Sequence, residues 1–298
     1  MAVRFFLNRD INYYKWDKCI KESLNSSIYA YSWYLNTVCE KWDALIEGDY
    51  ESVMPLPEVR KYNYSILRNP TMCYQLGIFS PKRVHEDLCE NFLQKIPEHY
   101  RKINLAFNKY NSLPSYYSSR SLYHFELDLF GEYNRFAKRY SQQLSNCIAE
   151  ATNNKITLSN VISSRELILF SERIEKKDTE RSKLLHRLIS ICQRYKLCKL
   201  VGAYDKYNTL VAAVLIIITA SKIYFIYGNS DENGKKEFAM YSILDHIIKK
   251  NCNKNLTLSF DYSSPYLAAV FSSFHAVQCS FPVFIRNKLP FYLKPFIR

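Results

Sequence analysis

Apolar residues recur along the chain at two spacings, and each change of spacing marks an element. Over residues 10–24, Ile11, Tyr14, Cys19 and Ile20 recur at helical spacing and predict a first helix. Ser32 is placed to cap a second helix that ends near Cys39. Residues 42–47 and 52–56 read as short strands joined at Gly48-Asp49. Pro55 and Pro57, which cannot donate to a ladder, mark the second as an edge strand or its exit. After an apolar run over 73–79, Pro81 leads into a helix over 84–96, and 102–107 predicts a strand. Residues 122–130 alternate strictly. Phe125, Leu127 and Leu129 face one way and His124, Glu126 and Asp128 the other, so one side is expected in the core and the other wet.

Beyond Gly131 the helical stripe is the strongest in the chain. Tyr133, Phe136, Ala137, Tyr140, Leu144, Cys147, Ile148 and Ala151 share one face and predict a long helix at the hinge between two halves. A strand is expected over 156–158. Ser163-x-x-Glu166 forms a capping box ahead of Leu167, Phe170 and Ile174, and another helix spans 181–195. Strands over 199–204, 209–219 and 222–227, joined by short turns, predict an antiparallel meander. A polar loop over 229–237 follows, then an amphipathic helix over 238–250 and a strand over 256–260. A helix opened by Ser264-Pro265 and a last strand over 277–285 close the order. The first half runs through a similar order without any residue-level repeat. The pattern therefore predicts an α/β chain with mixed sheets, duplicated in architecture, with domains 1–130 and 131–298.

Composition narrows the chemistry. At 298 residues, 48% apolar and 23% charged, the chain exceeds one average domain and can bury a core. Six glycines, about 2% where ~7% is usual, leave no Gly-x-Gly-x-x-Gly turn and no Gly-x-Ser-x-Gly elbow. That removes most of the case for Rossmann oxidoreductases and α/β-hydrolases. Nine cysteines without a Cys-x-x-Cys pair, and six histidines without His-Glu-x-x-His, predict core thiols and no metal. The start of the chain lacks a charged segment followed by an apolar one, which predicts a cytoplasmic protein with reduced thiols. The longest apolar stretch, 210–220, stops short of the roughly 18 residues that span a bilayer and is expected to be a buried strand.

Charge is uneven. Residues 1–149 hold 19 basic and 16 acidic side chains, residues 150–298 hold 22 and 12, and the net charge is +13. A polyanionic partner would be drawn to the second half. A bias toward A/T-rich codons accounts for the same excess of Lys, Asn, Ile and Tyr without any partner.

Several segments stand in a telling order. The first half carries Trp33-Tyr34-Leu35 with Val38-Cys39, Trp42-Asp43-Ala44-Leu45-Ile46, Met54-Pro55-Leu56-Pro57, and Asn69-Pro70 with Gln75-Leu76-Gly77-Ile78-Phe79. The second closes on Phe260-Asp261-Tyr262-Ser263-Ser264-Pro265, Phe274-His275-Ala276 and Asn287-Lys288-Leu289-Pro290. With the doubled element order, they resemble, over most of the chain, the tandem GNAT (acyl-CoA N-acyltransferase) fold of the FemABX aminoacyltransferases and their bacterial FemAB-like relatives. The resemblance implies two GNAT-like domains joined by the long helix and an acyltransferase activity. The implied donor is acyl-CoA or aminoacyl-tRNA, and the implied acceptor is a small-molecule amine, a cell-wall precursor or another metabolite.

The chain also departs from that pattern. Relatives carry a glycine in the Phe-Asp-x-x-Ser segment and a Phe-Gly-Ala turn, where this chain has Tyr262-Ser263-Ser264 and His275. The Arg/Gln-x-x-Gly-x-Gly/Ala loop that grips the acetyl-CoA pyrophosphate is missing, and residues 229–237 stand in its place. These departures motivate a second reading, a non-catalytic binding protein on a retired GNAT scaffold. A third, a non-specific nucleic-acid binder, rests on charge alone.

Acyl transfer to an amine needs a held electrophile, donors for the oxyanion and an acceptor for the amine's proton. The GNAT fold holds the activated carbonyl where neighbouring strands splay, which maps onto 209–219 and the strands beside it. Asp261, at the carboxyl end of its strand, is the catalytic candidate, or else a capping residue ahead of Ser264-Pro265. Gln75, Gly77, Phe79, Tyr227 and Tyr262 are candidate substrate-binding positions; for the tyrosines, plain packing is the alternative. Lys235 and Lys236 are candidates for the carrier's phosphates, in a Gly-x5-Gly-Lys-Lys stretch one residue too long for a P-loop. So are Lys183 and Arg187, which with Arg194 share one helix face that a solvated surface explains equally well. His275 reads as a surface-turn histidine rather than a base.

Overall fold

In the computed structural model, which describes residues 2–61, 63–117, 119–175, 179–261 and 264–290, the chain opens with β1 (Val3–Phe6), α1 (Tyr13–Glu22) and α2 (Ser32–Val38). The meander β2 (Lys41–Glu47), β3 (Ser52–Lys61), β4 (Tyr64–Arg68) comes next, then α3 (Glu86–Gln94) and β5 (Tyr100–Ala106). After β6 (Ser119–Asp128), α4 (Tyr133–Ala137) and α5 (Gln142–Asn153), the order recurs. It runs β7 (Thr157–Ser159), α6 (Ser164–Ile174), α7 (Thr179–Arg194), then the meander β8 (Cys198–Tyr204), β9 (Leu210–Ile218), β10 (Lys222–Ser230). A short α8 (Glu232–Lys236) precedes α9 (Ala239–Asn251), β11 (Thr257–Phe260), α10 (Pro265–Ser273) and β12 (Val277–Asn287). The architecture is mixed α/β with the element order doubled.

The contacts group the chain into two units, residues 1–123 with 280–298, and residues 124–279. In the first, strands lie in the order β1-β2-β3-β4-β5-β12. β4 and β5 are parallel and the other neighbours antiparallel. Leu45, Leu56, Leu67, Phe92, Ile103 and Phe284 share its core. The alternation of β2 sends Trp42 the other way, against Trp16 of α1, whose indole N–H donates to the Ala30 carbonyl at 2.8 Å. Pro55 and Pro57 do not mark an edge, because β3 lies between β2 and β4. They are tolerated there because β4 pairs with β3 only from Glu58 onward, so no β4 ladder runs past the prolines.

In the second unit the order is β6-β11-β10-β9-β8-β7, with β11 and β10 parallel and the other neighbours antiparallel. Phe125, Leu127, Ile223, Phe225, Leu258 and Phe260 join Leu144, Met240, Ile243, Leu244 and Phe271 in one core, so α5, α9 and α10 cover that face. β9, apolar throughout, is the buried strand its sequence predicts, and no helix among the described residues is long and apolar enough to cross a membrane.

Other expectations are corrected. Ser32 is the first residue of α2, not its cap, and its hydroxyl donates to Asp17 instead. The stripe over 133–151 forms two helices, because the Ser141 hydroxyl accepts from the Leu144 N–H and starts α5 afresh. The polar loop at 229–237 is the end of β10 followed by α8. The face of β6 expected to be wet is so only in part: Asp128 is exposed and Glu126 half-buried, but His124 is 1% exposed. Ser163 and Ser264 cap α6 and α10 as predicted.

Candidate functional site

Of 209–219 and the strands beside it, the strand over 209–219 does not itself part from its neighbours. β9 is bonded along both edges, to β8 through Leu210–Ile217 and to β10 through Ala212–Ile218. One strand further on, the parallel pair β10 and β11 is in register only at Lys222↔Thr257, Ile223↔Leu258 and Tyr224↔Ser259. β11 ends at Phe260 while β10 continues to Ser230. A bulge between Phe225 and Tyr227 shifts the register of β10 against β9, which increases twist and re-aims the following side chains. Gly228 permits this shape, since a Cβ there would lie 2.2 Å from the Phe225 ring. The two strands therefore part after Tyr224 and Ser259.

Around the extension of β10 lie four buried hydroxyls, Tyr227 Oη, Ser171 Oγ on α6, Ser230 Oγ and Tyr266 Oη on α10, none with a well-formed hydrogen bond among the described residues; Tyr227 lies near Ser171 and Asn229, and Tyr266 near Ser230. Such groups are rare in a folded interior and point to a site for water or a ligand. Burial and the nearby Glu175 charge push the Tyr227 phenol up, against weaker opposing effects of Ser171, Arg181 and Asn229, so it is a proton donor at neutral pH. The Arg181 guanidinium lies 6.0 Å from its ring centre. Burial likewise pushes Tyr266 up to about 12. On the core side, Phe225, Phe260 and Phe271 cluster, with Phe260 and Phe271 stacked at 3.9 Å.

Where β10 ends, a cavity of about 410 Å³ is lined by Arg173, Ile174, Ser230, Asp231, Glu232, Asn233 and Lys235. Asp231 caps α8 by accepting the Gly234 N–H at 2.8 Å, and also accepts from Arg173 Nη2 at 2.9 Å. Lys235 pairs with Glu232 at 2.7 Å. Cations and carboxylates in this cavity thus neutralise one another.

No protein-family model matches this chain, and neither does any curated protein. Among solved structures it is similar to the crystal structure of FemX, with a TM-score of 0.65 and 11% identity over 100% of each chain. It is similar to a tandem GNAT protein from the clavulanic acid biosynthesis pathway, with a TM-score of 0.57 and 10% identity over 97% of this chain and 99% of that one. It is also similar to L-PGS from Bacillus licheniformis, with a TM-score of 0.55 and 9% identity over 95% and 94%. The fold is tandem GNAT, of the FemX type.

Within this tandem GNAT fold the residues singled out from the sequence fall into separate places. Gln75, Gly77 and Phe79 belong to the first unit. There Leu76 bridges Phe107, Phe79 bridges Val53, and Asn111 holds both the N–H and the carbonyl of Ile78. Gly77 sits at φ +99 with the Asn111 amide oxygen 2.2 Å from where its Cβ would be, so it serves this clamp. Gln75 is buried. In the second unit, Tyr227 lies at the parting of β10 and β11, and Lys235 lines the cavity near the end of β10. Lys236 is exposed. Lys183 and Arg187 lie on the exposed face of α7, with Lys183 3.7 Å from Glu180. Asp261, 9% exposed, follows β11; Ser264, not Asp261, caps α10. Continuing the β11–β6 register sets Asp261 opposite His124, on the face of Ser259 and Glu126. Tyr262 lies outside the described residues. His275 takes the left-handed φ of +62, and its Nε2 lies 2.8 Å from the Arg139 carbonyl. Pattern reading missed Ser171, although its place four residues after Leu167 on the apolar stripe of α6 marks a polar group turned inward.

Proposed function

We propose that this protein is a cytoplasmic acyltransferase that moves an acyl or aminoacyl group from an activated carrier, acyl-CoA or aminoacyl-tRNA, to the amine of a small molecule. The observation that carries the reading is the parting of β10 from β11 beside buried hydroxyls that lack well-formed hydrogen bonds. In this reading the activated carbonyl lies in the parting. The Tyr227 hydroxyl, kept protonated by burial, donates to the oxygen on which charge develops. The amine attacks that carbonyl carbon, a C–N bond forms, and the C–S or C–O bond to the carrier breaks. Asp261 takes up the amine's proton and passes it to the departing sulfur or oxygen, so the carrier leaves as a thiol or a ribose hydroxyl. Arg173, Lys235 and Lys236 face the carrier's phosphates, and Lys183 and Arg187 extend the basic surface that a tRNA would follow. The acceptor is a cell-wall precursor or a metabolite amine.

A second reading, a binding protein on a retired transferase scaffold, is favoured by two observations. Three phenyl rings close the core side of the parting, and Asp231 occupies the N-terminus of α8 where a carrier phosphate would sit. The test is transfer of label from aminoacyl-tRNA or acyl-CoA to a panel of amines by the full chain. Transfer is expected, with kcat reduced about 10²-fold in Tyr227→Phe. Carrier binding without transfer selects the second reading, and neither binding nor transfer rejects the site.

A further inference from the structure

Three side chains outside the parting converge on one face of the second unit. His124 and Glu126 are two residues apart on β6, so strand alternation turns both away from the core that Phe125 and Leu127 enter. Cys279, in β12, reaches the same place from 153 positions along the chain. His124 Nε2 is 3.3 Å from Glu126 Oε1 and Cys279 Sγ is 3.9 Å from Glu126 Oε2. One donor atom from each of the three lies within 4.8 Å of the others. His124 is 1% exposed, and the Glu126 side chain 12%.

An imidazole, a carboxylate and a thiol are a zinc donor set. Zinc takes nitrogen, oxygen and sulfur at about 2.0–2.3 Å, so two donors on one tetrahedral ion stand roughly 3.3–3.8 Å apart. The His124–Glu126 separation of 3.3 Å falls at that spacing, and the Cys279–Glu126 separation of 3.9 Å lies just beyond it. Calcium and magnesium demand all-oxygen shells, which this cluster does not offer. Lys222 Nζ, 3.4 Å from Glu126 Oε1, supplies positive charge to the carboxylate when no ion is bound, and its chain is long enough to swing aside. Local motifs cannot announce such a site, because one ligand comes from a strand remote in sequence.

We propose that His124, Glu126 and Cys279 form a zinc-class metal site with three protein ligands and a fourth position open to water or to a donor atom of a ligand. The site is argued from its own donor geometry and not from the transferase reading, although the β11–β6 register sets Asp261 next to it. Its test uses the full chain, stripped with a chelator and titrated with Co²⁺ as the probe. One ion per chain is expected, with a thiolate-to-cobalt absorption band that disappears in Cys279→Ser. Affinity should fall more than tenfold in His124→Ala. In the unaltered chain, Zn²⁺ should slow alkylation of Cys279 by iodoacetamide, read by peptide mass spectrometry, a result that does not depend on any variant folding. The site is overturned if cobalt gives no thiolate band, if the band persists in Cys279→Ser, or if zinc leaves the alkylation of Cys279 unchanged.

Discussion

Glu58 shows how one buried charge ties stability to pH. Burial pushes its carboxyl up, but hydrogen bonds from Lys41, Ser65 and Arg60 outweigh that and hold it at about 2, against an unperturbed 4.5. A carboxyl depressed in the folded state stabilises fully above its unfolded value, and that contribution is lost as the pH falls through the folded one. The stability difference between the unaltered chain and Glu58→Gln, from urea unfolding, should therefore be largest above roughly pH 5 and shrink toward pH 2. Its plateau should be on the order of 2 kcal/mol, discounted because Lys41 and Arg60 are partly exposed. Gly77 makes a steric prediction. With φ +99 and the Asn111 oxygen 2.2 Å from any Cβ, Gly77→Ala must break the clamp on Ile78. A loss of more than about 2 kcal/mol in the same assay is expected, whereas equal stability would show that the segment can move. The sequence marks Gly77 as unusual, since glycines are scarce, but not why: Asn111 meets it only through the fold.

Elements with one buried face are legible from their period alone. The meander of β8, β9 and β10 and the capped starts of α6 and α10 lie within a few residues of where alternation and Ser-x-x-Glu or Ser-Pro place them. Pairing partners are not written in that period. A proline pair in β3 says only that one side of the strand lacks ladder bonds there, and pairing with β2 past both prolines and with β4 from Glu58 decides that this occurs inside a sheet. The bulge in β10 is equally silent in the pattern, because every residue from Ile223 to Tyr227 is apolar or aromatic and any phase fits. Yet that bulge aims Tyr227 and lets the Phe225 ring fold over Gly228. Phe225 is wholly buried against Phe260 and Phe271, so Phe225→Ala should cost about 3–5 kcal/mol. A cost below about 1 kcal/mol in a denaturant midpoint would mean that the space beside β10 refills easily and that the rings do not set its width.

Across the whole chain the doubled order conceals an exchange that no local pattern can reveal. The last strand of each series completes the sheet of the other unit: β12 pairs with β5 in the first, and β6 pairs with β11 in the second. Val283↔Ala106 through Asn287↔Lys102 form the first of these ladders, and the Phe107 and Lys288 N–H groups extend it by donating to Pro282 and Arg101. Phe284 adds a buried ring that meets Phe107 and Tyr117. Removing residues 280–298 should therefore damage the N-terminal unit, although everything deleted lies at the C-terminal end. It would expose the edge of β5 as an unpaired template prone to association. Hydrogen exchange is the direct measurement. In the shortened chain the amides of 102–107 should lose their protection while those of β9, bonded on both edges within the second unit, keep theirs. A fragment of residues 1–130 lacks β12 as well and should be aggregation-prone for the same reason. If β5 stayed protected in the shortened chain, the first unit would be self-sufficient, and the strand exchange would be a matter of connectivity rather than of stability.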